Sequence, residues 1–170
     1  MQFKEEDFGE VERVSEIVKY VDHIDRISVD TLNDEIYKSQ PFIISLILGY
    51  RLDFNEKEFE EIVKVLLIIW KYFKYTEKIP WEKITEEDFE RLQQRNIQML
   101  KYLDGEKLPE EKSVTISADL GNLKSKALLA GIFLRFDTNK TLVKMNINKK
   151  GMFVIGMKSL IECFEELDNV

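Results

Sequence analysis

The chain has 170 residues, about the length of one domain, and is long enough to bury one substantial core. Hydrophobic residues make up 44% of it and charged residues 34%, with three prolines and seven glycines, which excludes a mainly disordered protein. The single cysteine, Cys163, excludes an intramolecular disulfide, and the net charge of −7 argues against a protein that binds nucleic acid over its whole surface.

Two further exclusions concern location. No apolar stretch reaches the roughly 20 residues that a transmembrane helix needs, so no contact with a membrane is expected. The first 13 residues have no apolar region behind a basic start, so no secretory signal is expected either. We therefore predict a cytoplasmic protein that folds as one helical domain over residues 1–170, without a cofactor.

The first predicted helix covers about residues 8–27, where apolar side chains recur at three- and four-residue spacing. Asp7 is its expected N-cap. Residues 28–30 are predicted to break the chain, and Asp30 or Thr31 then caps a second helix.

Pro41 is the next boundary. Proline breaks a helix interior but is tolerated at the first helical position. It therefore predicts that the second helix ends near Lys38, and that Ser39 caps a third helix from Pro41 to about Tyr50. A single kinked helix is the alternative.

The most apolar stretch is FEEIVKVLLIIWKYFKY, residues 59–75, with six consecutive large apolar residues from Val65 to Trp70. A helix that is apolar on most sides must be covered on several sides, so this is predicted to be the central helix. Asn55 followed by Glu58 has the spacing of a capping box and places its start. With 51–55 as a short connector, this helix and 41–50 should form an antiparallel hairpin.

Beyond Thr76, Pro80 ends the helix, and residues 79–84 are expected to fold back over the core as a lid. Thr85 with Asp88 has capping-box spacing and predicts a helix to about Leu103. Residues 105–118 are predicted to be a long loop, with a short strand over 113–117.

Asp119 or Asn122 is expected to cap the next helix, which ends at about Phe136. Its alanine and glycine residues predict a close approach to a neighbouring helix. For the region that follows, two structures stay open. Residues 141–156 could form a β-hairpin, or Asn148 could cap a terminal helix over 149–167, which the apolar spacing favours.

The segments 38–50 and 124–136 resemble each other: KSQPFIISLILGY and KSKALLAGIFLRF share Lys-Ser and one leucine. Each precedes a strongly apolar helix. This similarity suggests two pseudo-symmetric helical hairpins within an all-α, single-domain, orthogonal or antiparallel bundle of about six to seven helices.

Few residues suggest catalysis. His23, the sole histidine, has no nucleophile placed near it by any motif, and acidic residues surround Cys163, where a reactive thiol would need positive charge. The chain has no Glu-x-x-His motif for a di-metal site and no glycine-rich phosphate loop. We therefore expect no metal and no catalytic residues.

The charge distribution is the one feature that suggests a binding surface. Residues 120–161 carry eight basic side chains and one acidic, a net charge of +7 in an acidic protein. The candidate site for an anion or an acidic partner is the lysine-rich turn, formed by Lys140, Lys144, Asn148, Lys149 and Lys150. The alternative is that these lysines are simply solvated.

Three functions follow from these patterns. The leading one is a non-catalytic module that binds a protein partner or associates with itself. The second is a small-ligand-binding protein or enzyme with a pocket near Trp70, Tyr72 and Trp81. The third is binding of an anion or nucleic acid through residues 138–150, although the overall negative charge makes nucleic acid an unfavourable partner.

Overall fold

A computed structural model describes residues 8–77, 79, 82–105 and 123–167 of the chain. In these residues the structure contains eight helices and no strand: α1 Phe8–Asp22, α2 Arg26–Ser39, α3 Pro41–Asp53, α4 Glu56–Tyr75, α5 Glu86–Gly105, α6 Lys126–Thr138, α7 Lys140–Val143 and α8 Ile147–Leu167. The prediction of an all-α helical bundle is confirmed. The alternative of a β-hairpin over 141–156 is wrong, because these residues belong to α7, a turn and α8.

The central position of α4 is confirmed. Asn55 accepts a hydrogen bond from the Glu58 amide, and the Glu58 carboxylate accepts one from the Asn55 amide, which completes the capping box. Every residue from Val65 to Trp70 is at most 1% exposed. The helix contacts α1, α3, α6, α7 and α8, so its apolar sides are covered by five neighbours.

The boundary between α1 and α2 differs from the prediction. The first helix ends at Asp22, and residues 28–30, predicted to be a break, lie inside α2. Asp25 is the N-cap, and its carboxylate accepts a hydrogen bond from the Ser28 amide at 2.8 Å. Apolar residues continue at helical spacing through Ile24 and Ile27, so the pattern does not reveal that α1 ends at Asp22. Ile27 does not belong to the buried face, because it is 79% exposed. The proposed cap Asp7 lies outside the described residues.

Pro41 begins α3 at its first position, so two separate helices are confirmed and the kinked helix is wrong. The residue between the two helices is Gln40. Ser39, the predicted cap, is the last residue of α2. The third helix continues to Asp53, and the connector to α4 is therefore only two residues long.

Residues 82–84 lie on the core, as expected for this part of the predicted lid, whose Trp81 lies outside the described residues. Gln40 is fully buried; its side-chain amide donates to the Glu82 carbonyl at 2.9 Å and its oxygen accepts from the Ile84 amide at 2.8 Å. Ile84 is 2% exposed. Thr85 caps α5 through its hydroxyl, which accepts from the Asp88 amide at 3.1 Å, as predicted.

The caps of the last helices differ from those predicted. Helix α6 begins at Lys126, and Asp119, Asn122 and the predicted strand over 113–117 lie outside the described residues. Ser125, at the N-cap position of α6, makes no capping hydrogen bond with its side chain. Instead the Glu165 carboxylate, from α8, accepts hydrogen bonds from the Lys124 and Ser125 amides at 3.2 and 2.7 Å.

Asn148 is not the N-cap of the terminal helix. Asn146 accepts hydrogen bonds from the Asn148 and Lys149 amides at 2.9 and 3.4 Å, so Asn148 belongs to the first turn of α8. Helix α8 contains two glycines, Gly151 and Gly156, at interior positions. A Cβ at Gly151 would meet nothing within 4 Å, and Gly156 lies directly against the Tyr50 hydroxyl.

The helices do not pair as two similar hairpins. Helix α8 packs mainly against α5, and α6 packs mainly against α1. The similarity of 38–50 to 124–136 is therefore not accompanied by a repeated arrangement. Buried side chains from all of the larger helices join in one core. Within the described part of the chain, no helix has the length and apolar character to cross a bilayer.

Candidate functional site

The lysine-rich turn is only partly open. Lys140 and Lys144 are exposed, on and after α7, and Asn148 is exposed in the first turn of α8. Lys149 is half-buried; its ammonium donates to the Asp53 carbonyl and lies 5.5 Å from the centre of the Phe54 ring. Lys149 thus joins α8 to the end of α3. Anion binding by this turn stays a prediction.

Two of the eight basic residues that suggested a surface patch are buried. Arg135 is 6% exposed and Lys158 is 7% exposed, and both are held in ion pairs with glutamates. Part of the positive charge of the segment 120–161 therefore lies inside the protein, next to acidic side chains. Any anion-binding surface in this region has a smaller charge than the sequence suggests.

The aromatic residues proposed to line a pocket belong to the core. Trp70 and Tyr72 are each 1% exposed. The Trp70 indole donates to Glu35 at 3.1 Å, and the Tyr72 hydroxyl donates to Glu10. Burial is the largest cause that raises the pKa of Tyr72, followed by the bond to Glu10. Trp81 lies outside the described residues, so the pocket near these three residues stays a prediction.

A different concave site lies between α1 and α6, with a volume of about 690 Å³. Each helix presents one face, with three- and four-residue spacing. From α1 the lining is Val11, Val14, Ser15, Val18, Lys19 and Asp22. From α6 and the residue after it, the lining is Ala127, Ala130, Gly131, Leu134, Arg135, Thr138 and Asn139. We call this site the α1–α6 groove.

Small residues set the depth of the α1–α6 groove. A Cβ added at Gly131 would lie 2.6 Å from Cγ1 of Val14, so glycine is what lets α6 approach α1 this closely. This agrees with the predicted close approach of α6 to a neighbour. Val11 and Leu134 are 40% and 63% exposed and form the apolar rim. The result is a narrow apolar floor between two raised edges.

One end of the groove is polar. Nη2 of Arg135 lies 2.7 Å from Asp22 Oδ1 and 2.6 Å from Glu61 Oε2. The same Glu61 oxygen accepts from the Asn139 amide at 2.9 Å, and its other oxygen accepts from Lys64 at 3.0 Å. Burial acts to lower the pKa of Arg135, but the bonds to both carboxylates outweigh it and raise the pKa above its usual value. We call these five residues the Arg135 network.

The Arg135 network is not complete. Arg135 Nε is buried and has no hydrogen-bond partner. A buried N–H group without an acceptor is rare in folded proteins, since its desolvation is not compensated. The guanidinium is thus neutralised by two carboxylates, and its Nε is closed off from solvent without an acceptor.

A second buried polar cluster, between α5 and α8, contrasts with the first. Lys158 Nζ lies 2.5 Å from both Glu162 Oε1 and Asn96 Oδ1. The Asn96 amide donates to Ser159 at 2.9 Å and to Glu162 at 2.7 Å. Its side-chain groups bond one another, so this cluster holds α5 against α8 and offers nothing to a ligand.

His23 lies just after α1, and Cys163 is buried in α8. In the described part of the chain, no three metal-ligating side chains come together. Nδ1 of the exposed His23 bonds the Lys19 carbonyl at 2.8 Å. Burial raises the pKa of the Cys163 thiol from 9.0 to about 12, which suppresses the thiolate.

The sequence contained one signal for the groove, the small residues of α6. It could not show what they face, because α1 lies more than 100 residues earlier in the chain. Nor could it show that Arg135 is buried, since its partner Glu61 is 74 residues away.

No family model, no characterised protein and no solved structure matches this chain.

Proposed function

We propose that the protein is a binding protein for a small, largely apolar molecule, and that the α1–α6 groove is its site. The observation that carries this proposal is a groove of about 690 Å³ with apolar walls and one polar end. Ligand sites typically have roughly 300–1,000 Å³, are mainly apolar with a few polar groups, and occur between helices of bundles.

The size of the groove favours a small molecule over a protein surface. A stable protein interface uses about 20–30 residues on each partner. The groove is lined by 13 residues, fewer than such an interface needs. The protein-partner role expected from the sequence stays a second proposal without a located surface. Binding rather than catalysis is favoured because the titratable side chains of the groove are Lys19, Asp22 and Arg135, and the last two are paired with each other.

The test uses N-phenyl-1-naphthylamine, a neutral dye whose fluorescence rises in apolar surroundings. We expect saturable binding to the wild-type protein. The half-buried Ala130 lines the groove, so Ala130→Phe fills it and should weaken dye binding about tenfold or more.

The matched control is Leu52→Gln, which removes the most exposed large apolar side chain among the described residues, 90% exposed on α3. Its dye affinity should equal that of the wild type, and circular dichroism should show that both variants keep their helix content. The proposal is overturned if the wild type does not bind the dye. It is also overturned if Leu52→Gln weakens binding while Ala130→Phe does not, because the dye would then lie on exposed surface.

A further inference from the structure

We propose that the ligand of the α1–α6 groove is an amphipathic monocarboxylate, with its apolar body between α1 and α6 and its carboxylate against Lys19 and Ser15. This inference rests on the proposed function and deepens it by naming the head group of the ligand.

Most of the polar side chains that line the groove are already engaged. The Asp22 carboxylate and the Arg135 guanidinium bind each other at 2.7 Å. The Thr138 hydroxyl donates to the Leu134 carbonyl at 2.8 Å. The Asn139 side-chain oxygen accepts from two amides of α7 at 2.9 and 3.2 Å. These four side chains therefore have little to offer a head group.

Ser15 and Lys19 are the two remaining polar side chains of the groove. Both are exposed, and within the described residues neither the Ser15 hydroxyl nor the Lys19 ammonium has a hydrogen-bond or ion-pair partner. They lie four residues apart on α1 and are neighbours on one face of the helix, so a single head group can contact both. Glu16 lies between them in the sequence but is not a lining residue of the groove.

The charge that the groove presents is positive. Asp22 and Arg135 neutralise each other, and Glu61, the second carboxylate on Arg135, is also paired with Lys64 at 3.0 Å. Among the described residues, Lys19 is thus the ionisable lining residue whose charge no ion pair balances. One unbalanced positive charge matches a monoanion. It repels an ammonium, and it offsets only part of the charge of a phosphate dianion.

The apolar floor and the two donors lie end to end along α1. Val14 lies against Gly131 in the floor, and Lys19 follows five residues later, roughly 7.5 Å along the helix axis. The body of the ligand can therefore be buried while its carboxylate stays at an exposed edge and keeps part of its hydration. A carboxylate accepts from both an ammonium and a hydroxyl, and such charge-assisted bonds are stronger than neutral ones.

The test is displacement of bound N-phenyl-1-naphthylamine by decanoate and by decylammonium, two ten-carbon monovalent ions of opposite charge, each below its micelle concentration. It is done at about 0.15 M salt, where charges more than about 8 Å apart are largely screened. We expect decanoate to displace the dye at a concentration about threefold lower than decylammonium. This order opposes the net charge of −7, which favours a cation over the protein as a whole. Decylammonium competing as well as decanoate would overturn the inference.

Charge reversal links the preference to Lys19. Lys19→Glu should reverse the order of the two ions. The matched control is Lys57→Glu, which changes the net charge equally at an exposed lysine of α4 outside the groove lining, and it should keep the wild-type order. An unchanged order in Lys19→Glu, or equal changes in the two variants, would overturn the inference.

Ser15→Ala tests the second donor. It should weaken decanoate about twofold relative to decylammonium, because one hydrogen bond to the carboxylate is lost. An unchanged ratio would overturn the role given to Ser15.

The two proposals fail in different ways. If the dye does not bind in the groove, the proposed function fails. If the dye binds there, Ala130→Phe excludes it and the two ions compete equally, only the selectivity for a carboxylate fails.

Discussion

The contact between Gly156 and Tyr50 leads to a sharp test of the packing of α8. The Tyr50 hydroxyl occupies the position where a Cβ at residue 156 would lie. The Tyr50 ring is buried and cannot retreat freely, because the rings of Phe54 and Phe153 lie 5.9 and 5.1 Å from it. Gly151, in the same helix, has nothing within 4 Å of a Cβ.

These two glycines should respond to alanine with opposite signs. Alanine stabilises a helix over glycine by about 1 kcal/mol, which is the whole effect expected for Gly151→Ala. Overpacking a filled core costs about 1–3 kcal/mol, and the overlap with a fixed ring places Gly156→Ala in the upper part of that range. After the helical gain, Gly156→Ala should lose about 1–2 kcal/mol of unfolding free energy.

Urea unfolding followed by far-UV circular dichroism measures both changes, and Tm should move by about 2–4 °C for each kcal/mol. Tyr50→Phe is the second variant, and it is also combined with Gly156→Ala in a double mutant. Without the hydroxyl, the nearest atom to a Cβ at residue 156 is the ring Cζ at 3.4 Å, an ordinary contact. Gly156→Ala should therefore be rescued in the Tyr50→Phe background. If Gly156→Ala is as stable as Gly151→Ala, or if Tyr50→Phe does not rescue it, this account of the contact is refuted.

Three other predictions concern charged and titratable groups. Arg135→Met should lose about 3 kcal/mol of unfolding free energy, because it leaves Glu61 buried beside fewer cations. Arg91→Met, which breaks an exposed ion pair, should lose less than about 1 kcal/mol. Equal losses in the two variants would contradict this prediction. The native Cys163 thiol keeps its proton from pH 9 to about 12 while the unfolded chain releases it, so the stability of the wild type should fall more steeply with pH in that window than that of Cys163→Ala. Parallel curves would exclude a contribution from the thiol. If Lys140 and Lys144 bind anions, a heparin column should retain the wild type, and salt should weaken this retention. The variant with both lysines changed to glutamate should not be retained. A wild type that heparin does not retain would contradict the prediction.

The features that the sequence predicted well are those with local causes. Asn55 and Glu58 act within one turn, and Pro41 acts through its own ring, so each marks its helix start without any knowledge of the fold. The burial of α4 follows from six consecutive apolar residues, which no single-sided packing can cover.

The features that the sequence did not predict depend on partners far along the chain. In the sequence, Arg135 and Lys158 look like ordinary solvent-exposed basic residues. Their buried partners Glu61 and Asn96 lie 74 and 62 residues away along the chain. The α1–α6 groove has the same cause. Each of its faces is an ordinary helical stripe, and a concave site exists only once Gly131 has brought the two helices together.

The bond from Glu165 to the start of α6 has a consequence for the order in which the chain can fold. The amides of Lys124 and Ser125 receive their acceptor from a residue about 40 positions later. During synthesis on a ribosome, the start of α6 would lack these two hydrogen bonds until α8 had followed and docked. Its amides should therefore gain protection from hydrogen exchange together with those of α8, as one cooperative unit rather than two.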